Sequence, residues 1–136
     1  MSTSDELLQH ARAAREHAYA PYSGFLVGAA VHSRDGRIFT GANVESASYG
    51  LTTCAERSAL CAAVAAGCRP GDLVRIAVIG DTDGPISPCG ACRQLIRELG
   101  GEDIDVTLAN LAGDVRHTSA GQLLPGAFTL EAPEPA

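Results

Sequence analysis

Cys54-Ala55-Glu56 and, 35 residues later, Pro88-Cys89-Gly90-Ala91-Cys92 constrain this chain more than any other feature. Three cysteines in this pattern suit one Zn²⁺, which in a catalytic site usually takes three protein ligands and keeps its fourth position for water. Both groups fall where a helical pattern begins, so a fold that joins them brings two helix starts to one point. There the free N–H groups and the positive end of the helix dipole favour the thiolate, the form that binds metal. Glu56 would point away from Cys54 in mid-helix. In the first turn both side chains can reach a cleft that faces the helix end. Pro88 fits beside a helix start because it has no N–H to leave unpaired. Ser87-Pro88 also favours an extended backbone, which leaves the Ser87 carbonyl open to a ligand.

The chain has five cysteines, and the remaining two are poor fourth ligands. On a continuous helix Cys61 lies about 10 Å further along the axis than Cys54, and Cys68 about twice as far. A Zn–S bond is only about 2.3 Å. His10, His17, His32 and His117 show no ligand spacing to the cysteines. Three thiolates leave the metal site with an excess negative charge, which makes the metal a weak Lewis acid. Arg57 and Arg93 are the candidate compensating cations, with Arg57 expected to bond the thiolates and to be held in turn by Gln94.

The rest of the chain reads as alternating elements. Thr3-x-x-Glu6 resembles a capping box, and Leu7, Leu8, Ala11, Ala14 and Ala18 predict a helix over 4–18 that Pro21 ends. Phe25 to Ser33 predicts a strand, Arg34-Asp35-Gly36-Arg37 a hairpin turn, and Ile38 to about Glu45 the return strand. Cys54 to Ala66 predicts a helix stopped by Gly67. Strands follow at Val74–Ile79 and Ile104–Leu108, with a helix over Cys89–Leu99 between them and a weaker strand at Arg116–Ser119. A short helical turn runs to Leu124. This order predicts an α/β architecture: a mixed five-stranded sheet flanked by helices, one domain over 1–130, and a disordered tail at 131–136.

Bulk properties narrow the function. A net charge of −6 argues against a nucleic-acid partner, whose phosphates need Lys and Arg. There is no lysine, which excludes Schiff-base chemistry on that side chain. No apolar run is long enough for a membrane span. An odd cysteine count with a C-x-x-C points to a reducing compartment, here the cytoplasm, and to metal binding.

Five motifs in order resemble the cytidine deaminase family in its short, three-cysteine form. They are Tyr19-Ala-Pro-Tyr-Ser-Gly-Phe-Leu-Val-Gly-Ala-Ala30, Gly41-Ala-Asn-Val-Glu45, Cys54-Ala-Glu-Arg57, Ser87-Pro-Cys-Gly-Ala-Cys-Arg-Gln94 and Leu123-Leu-Pro-Gly-Ala-Phe128. The resemblance implies a three-layer cytidine-deaminase-like fold and one Zn²⁺ per chain on Cys54, Cys89 and Cys92. It implies that Glu56 shuttles protons, that Phe25 stacks on the pyrimidine, and that Asn43 and Glu45 hydrogen-bond the ribose 3′-hydroxyl. It assigns the Ala55 N–H and the Ser87 carbonyl to the base. It implies a homotetramer whose neighbouring subunits lend Ala47, Tyr49 and Phe128 to each site. The implied reaction is deamination of cytidine and 2′-deoxycytidine to uridine and 2′-deoxyuridine, within pyrimidine salvage.

Ser46, where the family usually has Asn, and Thr52-Thr53 before Cys54 depart from the pattern. They leave sugar specificity open. One alternative is a deaminase of another small cytosine-containing compound such as blasticidin S. Another is a zinc-stapled interaction module, against which Glu56 speaks because a structural site has no use for it.

Overall fold

The computed structural model describes residues 3–130. Among them run helix α1 (Thr3–Arg15), strands β1 (Val27–Ser33) and β2 (Ile38–Ala42), and a 3₁₀ turn at Tyr49–Leu51. Helix α2 (Ala55–Ala65), strand β3 (Leu73–Gly80) and helix α3 (Gly90–Gly100) follow. Strands β4 (Asp105–Asn110) and β5 (Val115–Ser119) and the single turn α4 (Ala120–Leu123) complete the order. The strands form one mixed five-stranded sheet in the order β2-β1-β3-β4-β5. Only β3 and β4 are parallel, and α3 provides the crossover that a parallel pair needs. The expected α/β fold is therefore present.

Period-two alternation assigns the layers. Ala29 and Val31 of β1, Ile76 and Val78 of β3, and Val106 and Leu108 of β4 join Leu60, Ala63 and Ile96 in the larger core. That face carries α2 and α3. Ala30, Ala77, Ile79 and Ala109 face the other way and pack under Leu7 and Ala11 of α1. Apart from Ile79, the buried sheet residues on the α1 face are alanines, and the helix lies close against them. A Cβ on Gly28 would stand 1.9 Å from the Ala11 carbonyl oxygen. The three layers are α1, the sheet, and α2 with α3.

Three boundaries differ from expectation, each for a local reason. Helix α1 stops at Arg15, well before Pro21. Its last turn tightens, and the chain then leaves to pair Tyr19 with Val44 through Tyr19 N–H to Asn43 O (2.9 Å) and Glu45 N–H to Tyr19 O (2.8 Å). For the same reason β2 ends at Ala42, because Val44 bridges Tyr19 and Thr53 instead of β1. Strand β1 begins at Val27 rather than Phe25, because the Asn43 side chain replaces the ladder there. Thr3 is itself helical, so it is not the flanking cap residue of α1. The hairpin forms as expected, with Gly36 at φ 94°. The tail at 131–136 lies outside the described residues.

The register decides where chemistry is placed. Val27 pairs with Gly80 and Gly28 with Ala42. The entry to β1, the exit of β2 and the exit of β3 therefore share one end of the sheet. The loops from β2 and from β3 lead into α2 and α3 respectively, so both helix starts arrive at that end.

Candidate active site

Cys54 and Cys89 are the N-cap residues of α2 and α3, both in extended conformation, and Cys92 is buried one turn into α3. Neither cap side chain bonds the backbone N–H groups of its own helix, so both sulfurs remain available to a ligand. The three Sγ atoms lie within 4.8 Å of one another, and those of Cys54 and Cys89 are 3.9 Å apart. Tetrahedral zinc with bonds of about 2.3 Å places its sulfurs roughly 3.8 Å apart. The donor set and its spacing thus fit Zn²⁺. Among the described residues no other group of three His, Cys, Asp or Glu side chains converges in this way. Cys61 is exposed and Cys68 buried, and neither is part of this group.

The electrostatics favour a cation. Hydrogen bonding with Cys92 and the contact of Arg57 overcome partial burial and bring Cys54 down to about 5. The same bond with Cys54, together with burial and the charge of Glu56, pushes Cys92 up. One thiolate forms readily here and a second is opposed. A bound divalent ion removes that conflict, since a coordinating thiol is deprotonated outright. Arg57 Nη2 donates to Cys54 Sγ (3.5 Å) and to the Thr52 carbonyl (3.3 Å).

The expected support of Arg57 by Gln94 is not what the structure has. Gln94 Nε2 donates instead to Glu98 Oε1 (2.8 Å) and to the Phe128 carbonyl (3.0 Å). Nor does Arg93 bond the sulfurs. Its guanidinium donates to Pro88 O, Ser87 Oγ and Leu123 O, and so braces the loop that carries Cys89. The fork geometry of arginine suits this task of holding three oxygens from two segments, Ser87-Pro88 and Leu123.

Glu56, in the first turn of α2, is only 4% exposed. Burial raises its pKa, and the charge on Cys54 adds to the rise. A carboxyl shifted this way is suited to taking and returning a proton near neutral pH. It lies in a cleft of about 200 Å³ lined by Phe25, Val27, Asn43, Cys54, Ala55, Ile86, Ser87 and Cys89. Phe25, Asn43, Ala55, Glu56 and Ser87 are thus gathered with two of the cysteines.

Thr52 also borders an adjoining hollow of about 440 Å³, lined by Tyr22, Ser23, Glu45, Ser46 and Tyr49. Glu45 accepts from the N–H groups of Tyr22 (3.0 Å) and Ser23 (3.1 Å) and from the Ser23 hydroxyl. The Ser23 bonds, that of its hydroxyl foremost, hold the Glu45 carboxyl below its ordinary pKa. Asn43 sits between the two hollows in sequence but is committed to the backbone. Its Oδ1 accepts from Val27 N–H (2.9 Å) and its Nδ2 donates to Phe25 O (2.8 Å).

Not all of the expected residues converge within one chain. Ala47 is exposed on the loop beyond Ser46. Tyr49 is 86% exposed, and Phe128, 72% exposed, borders a separate hollow with Pro70 and Leu99. Sequence reasoning missed Ser23, Thr52 and Ile86. The hints of the first were its place in the Tyr19–Ala30 motif and the turn before Gly24. The contact of Ile86 with Gly80 and Phe25 depends on the β3 register and leaves no local signal.

The profile described as "Cytidine and deoxycytidylate deaminase zinc-binding region" matches residues 1–108. The chain is 54% identical over 125 residues to a cytidine deaminase of Halalkalibacterium halodurans, covering 92% of this chain and 93% of the relative. It is 48% identical over 127 residues to that of Sporosarcina psychrophila, covering 93% and 92%. Among solved structures, a cytidine deaminase from Burkholderia pseudomallei superposes with a TM-score of 0.91 at 60% identity, covering 94% of this chain and 100% of that one. A Mycobacterium tuberculosis cytidine deaminase superposes at 0.81 with 39% identity, covering 96% and 100%. With zinc-ligand geometry, a buried carboxyl and these likenesses all in agreement, the chain belongs to the cytidine deaminase family.

Proposed function

We propose that this protein is a zinc-dependent hydrolase that deaminates cytidine and 2′-deoxycytidine, releasing ammonia and leaving uridine or 2′-deoxyuridine. The observation that carries the reading is a buried carboxyl, Glu56, beside three convergent sulfurs at the floor of a cleft walled by Phe25 and Ile86. Cys54, Cys89 and Cys92 hold the metal, one per chain. When bound, zinc supplies an acidified water and a Lewis acid next to the carbon under attack.

Glu56 takes the proton of that water and passes it to ring N3 as oxygen adds at C4. It then takes the remaining proton of that oxygen and delivers it to the amino group, the C4 carbonyl forms as the C4–N bond breaks, and ammonia leaves. One carboxyl can do both because each delivery returns it to the ionised form that takes the next proton. Phe25 offers its ring to the pyrimidine face. The Ala55 N–H, one of the unpaired donors at a helix start, and the Ser87 carbonyl address the polar edge of the base. Glu45 addresses the sugar, and Asn43 joins it through the amide N–H that its bond to Phe25 leaves over. Arg57 offsets the charge of the thiolates and so keeps the metal electrophilic.

Residues 1–130 act in this reading as one catalytic unit, and four copies assemble. The exposure of Tyr49 and Phe128 supports this, because aromatic side chains left in solvent in one chain suit a subunit contact. Ala47, Tyr49 and Phe128 would then complete a neighbour's site. Free thiols throughout the described residues suit the reducing cytoplasm. Among the described residues no helix is long and apolar enough to cross a membrane. The blasticidin alternative has no support comparable to the carboxylate at the second hollow, which suits a sugar hydroxyl.

The test is the ultraviolet absorbance of cytidine, then of 2′-deoxycytidine, mixed with zinc-loaded protein. Loss of the cytosine band with stoichiometric ammonia is the expected result. An unchanged spectrum with zinc confirmed on the protein would overturn the substrate assignment.

A further inference from the structure

The two hollows are linked by a side chain of the Tyr19–Ala30 motif to which the resemblance gave no role. The Ser23 hydroxyl donates to Glu45 Oε2 and accepts from the Phe25 N–H at 3.0 Å. Among the described residues it is the only side chain that bonds both Glu45 and Phe25. The backbone donors of Tyr22 and Ser23 reach Oε1 alone. One pinned oxygen leaves a carboxylate free to swing about that point, and a second bond to the other oxygen fixes its plane. Gly24 turns the chain with φ 69°, which lets one hydroxyl face both residues.

We infer that Ser23 is a positioning residue for the deamination: its hydroxyl orients the Glu45 carboxylate in the sugar hollow and in the same contact fixes the Phe25 backbone at the base cleft. It thereby sets the distance at which a nucleoside's sugar and base are held relative to Glu56. The inference rests on the proposed role of Glu45 at the sugar. That Ser23 is foremost among the groups holding the Glu45 carboxyl below its ordinary pKa agrees with it. Groups that orient a contact residue commonly matter almost as much as the contact itself.

The experiment compares Ser23→Ala, Ser23→Thr and Glu45→Gln on cytidine and on 3′-deoxycytidine, with rates expressed per zinc-loaded site. Ser23→Ala is expected to raise KM for cytidine about tenfold with kcat nearly unchanged, the effect of one charge-assisted hydrogen bond. On 3′-deoxycytidine, which lacks the hydroxyl, the loss is expected to be no more than about threefold, through Phe25 alone. Ser23→Thr keeps the hydroxyl and restores the preference for cytidine. A merely structural role would lower both substrates alike and leave their ratio where it was. Because the ratio is read per loaded site, a partly folded preparation still reports it. An unchanged ratio in Ser23→Ala, with a collapsed ratio in Glu45→Gln, overturns the inference and spares the sugar role of Glu45. An unchanged ratio in Glu45→Gln removes that role, and the inference with it.

Discussion

Adding one methyl group to Gly41 tests whether the metal site depends on how closely α2 sits against the β1–β2 hairpin. A Cβ at this position would lie 2.5 Å from the Ala59 nitrogen, 2.6 Å from the Ala55 carbonyl oxygen and 2.8 Å from Ser58 Cβ. Two of these atoms are helix backbone and cannot turn aside. Restoring ordinary contact at 3.4 Å moves the first turns of α2 outward by about 0.9 Å. Overpacking of this kind costs about 1–3 kcal/mol, and backbone contacts place Gly41→Ala at the upper end. The same displacement carries Cys54 and Glu56 away from Cys89 and Cys92. A misplacement of about 1 Å typically lowers turnover about a hundredfold.

The assay is melting temperature, zinc content and kcat at one protein concentration, with Gly90→Ala as the control. Gly90 is also at a metal-bearing helix start, yet its Cβ meets nothing within 4 Å. Gly41→Ala is expected to melt about 10 °C lower and to lose most of its activity. Gly90→Ala is expected to melt within about 2 °C of the parent. Equal behaviour of the two variants would show that the close seat of α2 is not what holds the sulfurs in register.

Replacing Glu56 by Gln keeps the side chain's size and is expected to preserve zinc content while reducing kcat by roughly 10²–10⁴-fold; loss of zinc along with activity would make Glu56 a structural residue. Arg57→Gln removes the cation beside Cys54 and is expected to lower kcat with zinc retained, and unchanged turnover would dismiss charge compensation at the cluster. Asp35 is held down to about 2 by the Ser33 hydroxyl and by Arg37, against 3.8 unperturbed. Its stabilising effect is therefore complete above pH 3.8 and lost as pH falls through about 2, so the melting temperatures of Asp35→Asn and the parent should converge across that interval. A gap that stays constant down to the lower pH would contradict that assignment.

The zinc ligands were legible because their chemistry demands a residue type and a place. Three thiols and an acid at two helix starts have few other uses, and Cys54, Cys89, Cys92 and Glu56 stand where that argument puts them. The alternation of Ala29, Val31, Ile76 and Val78 made the sheet legible in the same way. Boundaries were lost where one segment borrowed another's partners. Val44 leaves β2 for Tyr19 and Thr53, and nothing in Gly41-Ala-Asn-Val-Glu45 announces that choice. The Arg57–Gln94 pairing failed for a similar reason: Gln94 lies one turn before Glu98 on α3, within easy reach, and the returning chain at Phe128 supplies its second acceptor. Contacts between residues 30 or more apart are set by the sheet's register, which no local pattern encodes.

The wall of the base cleft is suspended differently from the rest of the sheet. Phe25 and Val27 give their amide protons to side chains, the Ser23 hydroxyl and the Asn43 carbonyl oxygen, while Ala29 and Val31 lie within the paired length of β1 between β2 and β3. A rung of a central strand is released only when its neighbours separate, whereas a side-chain hook lets go with one rotamer change. The amides of Phe25 and Val27 can therefore be released without parting β1 from β2 or β3. In deuterated water the amides of Phe25 and Val27 should exchange well ahead of those of Ala29 and Val31, which makes the cleft's wall visible as a fast-exchanging pair at the head of a slow strand.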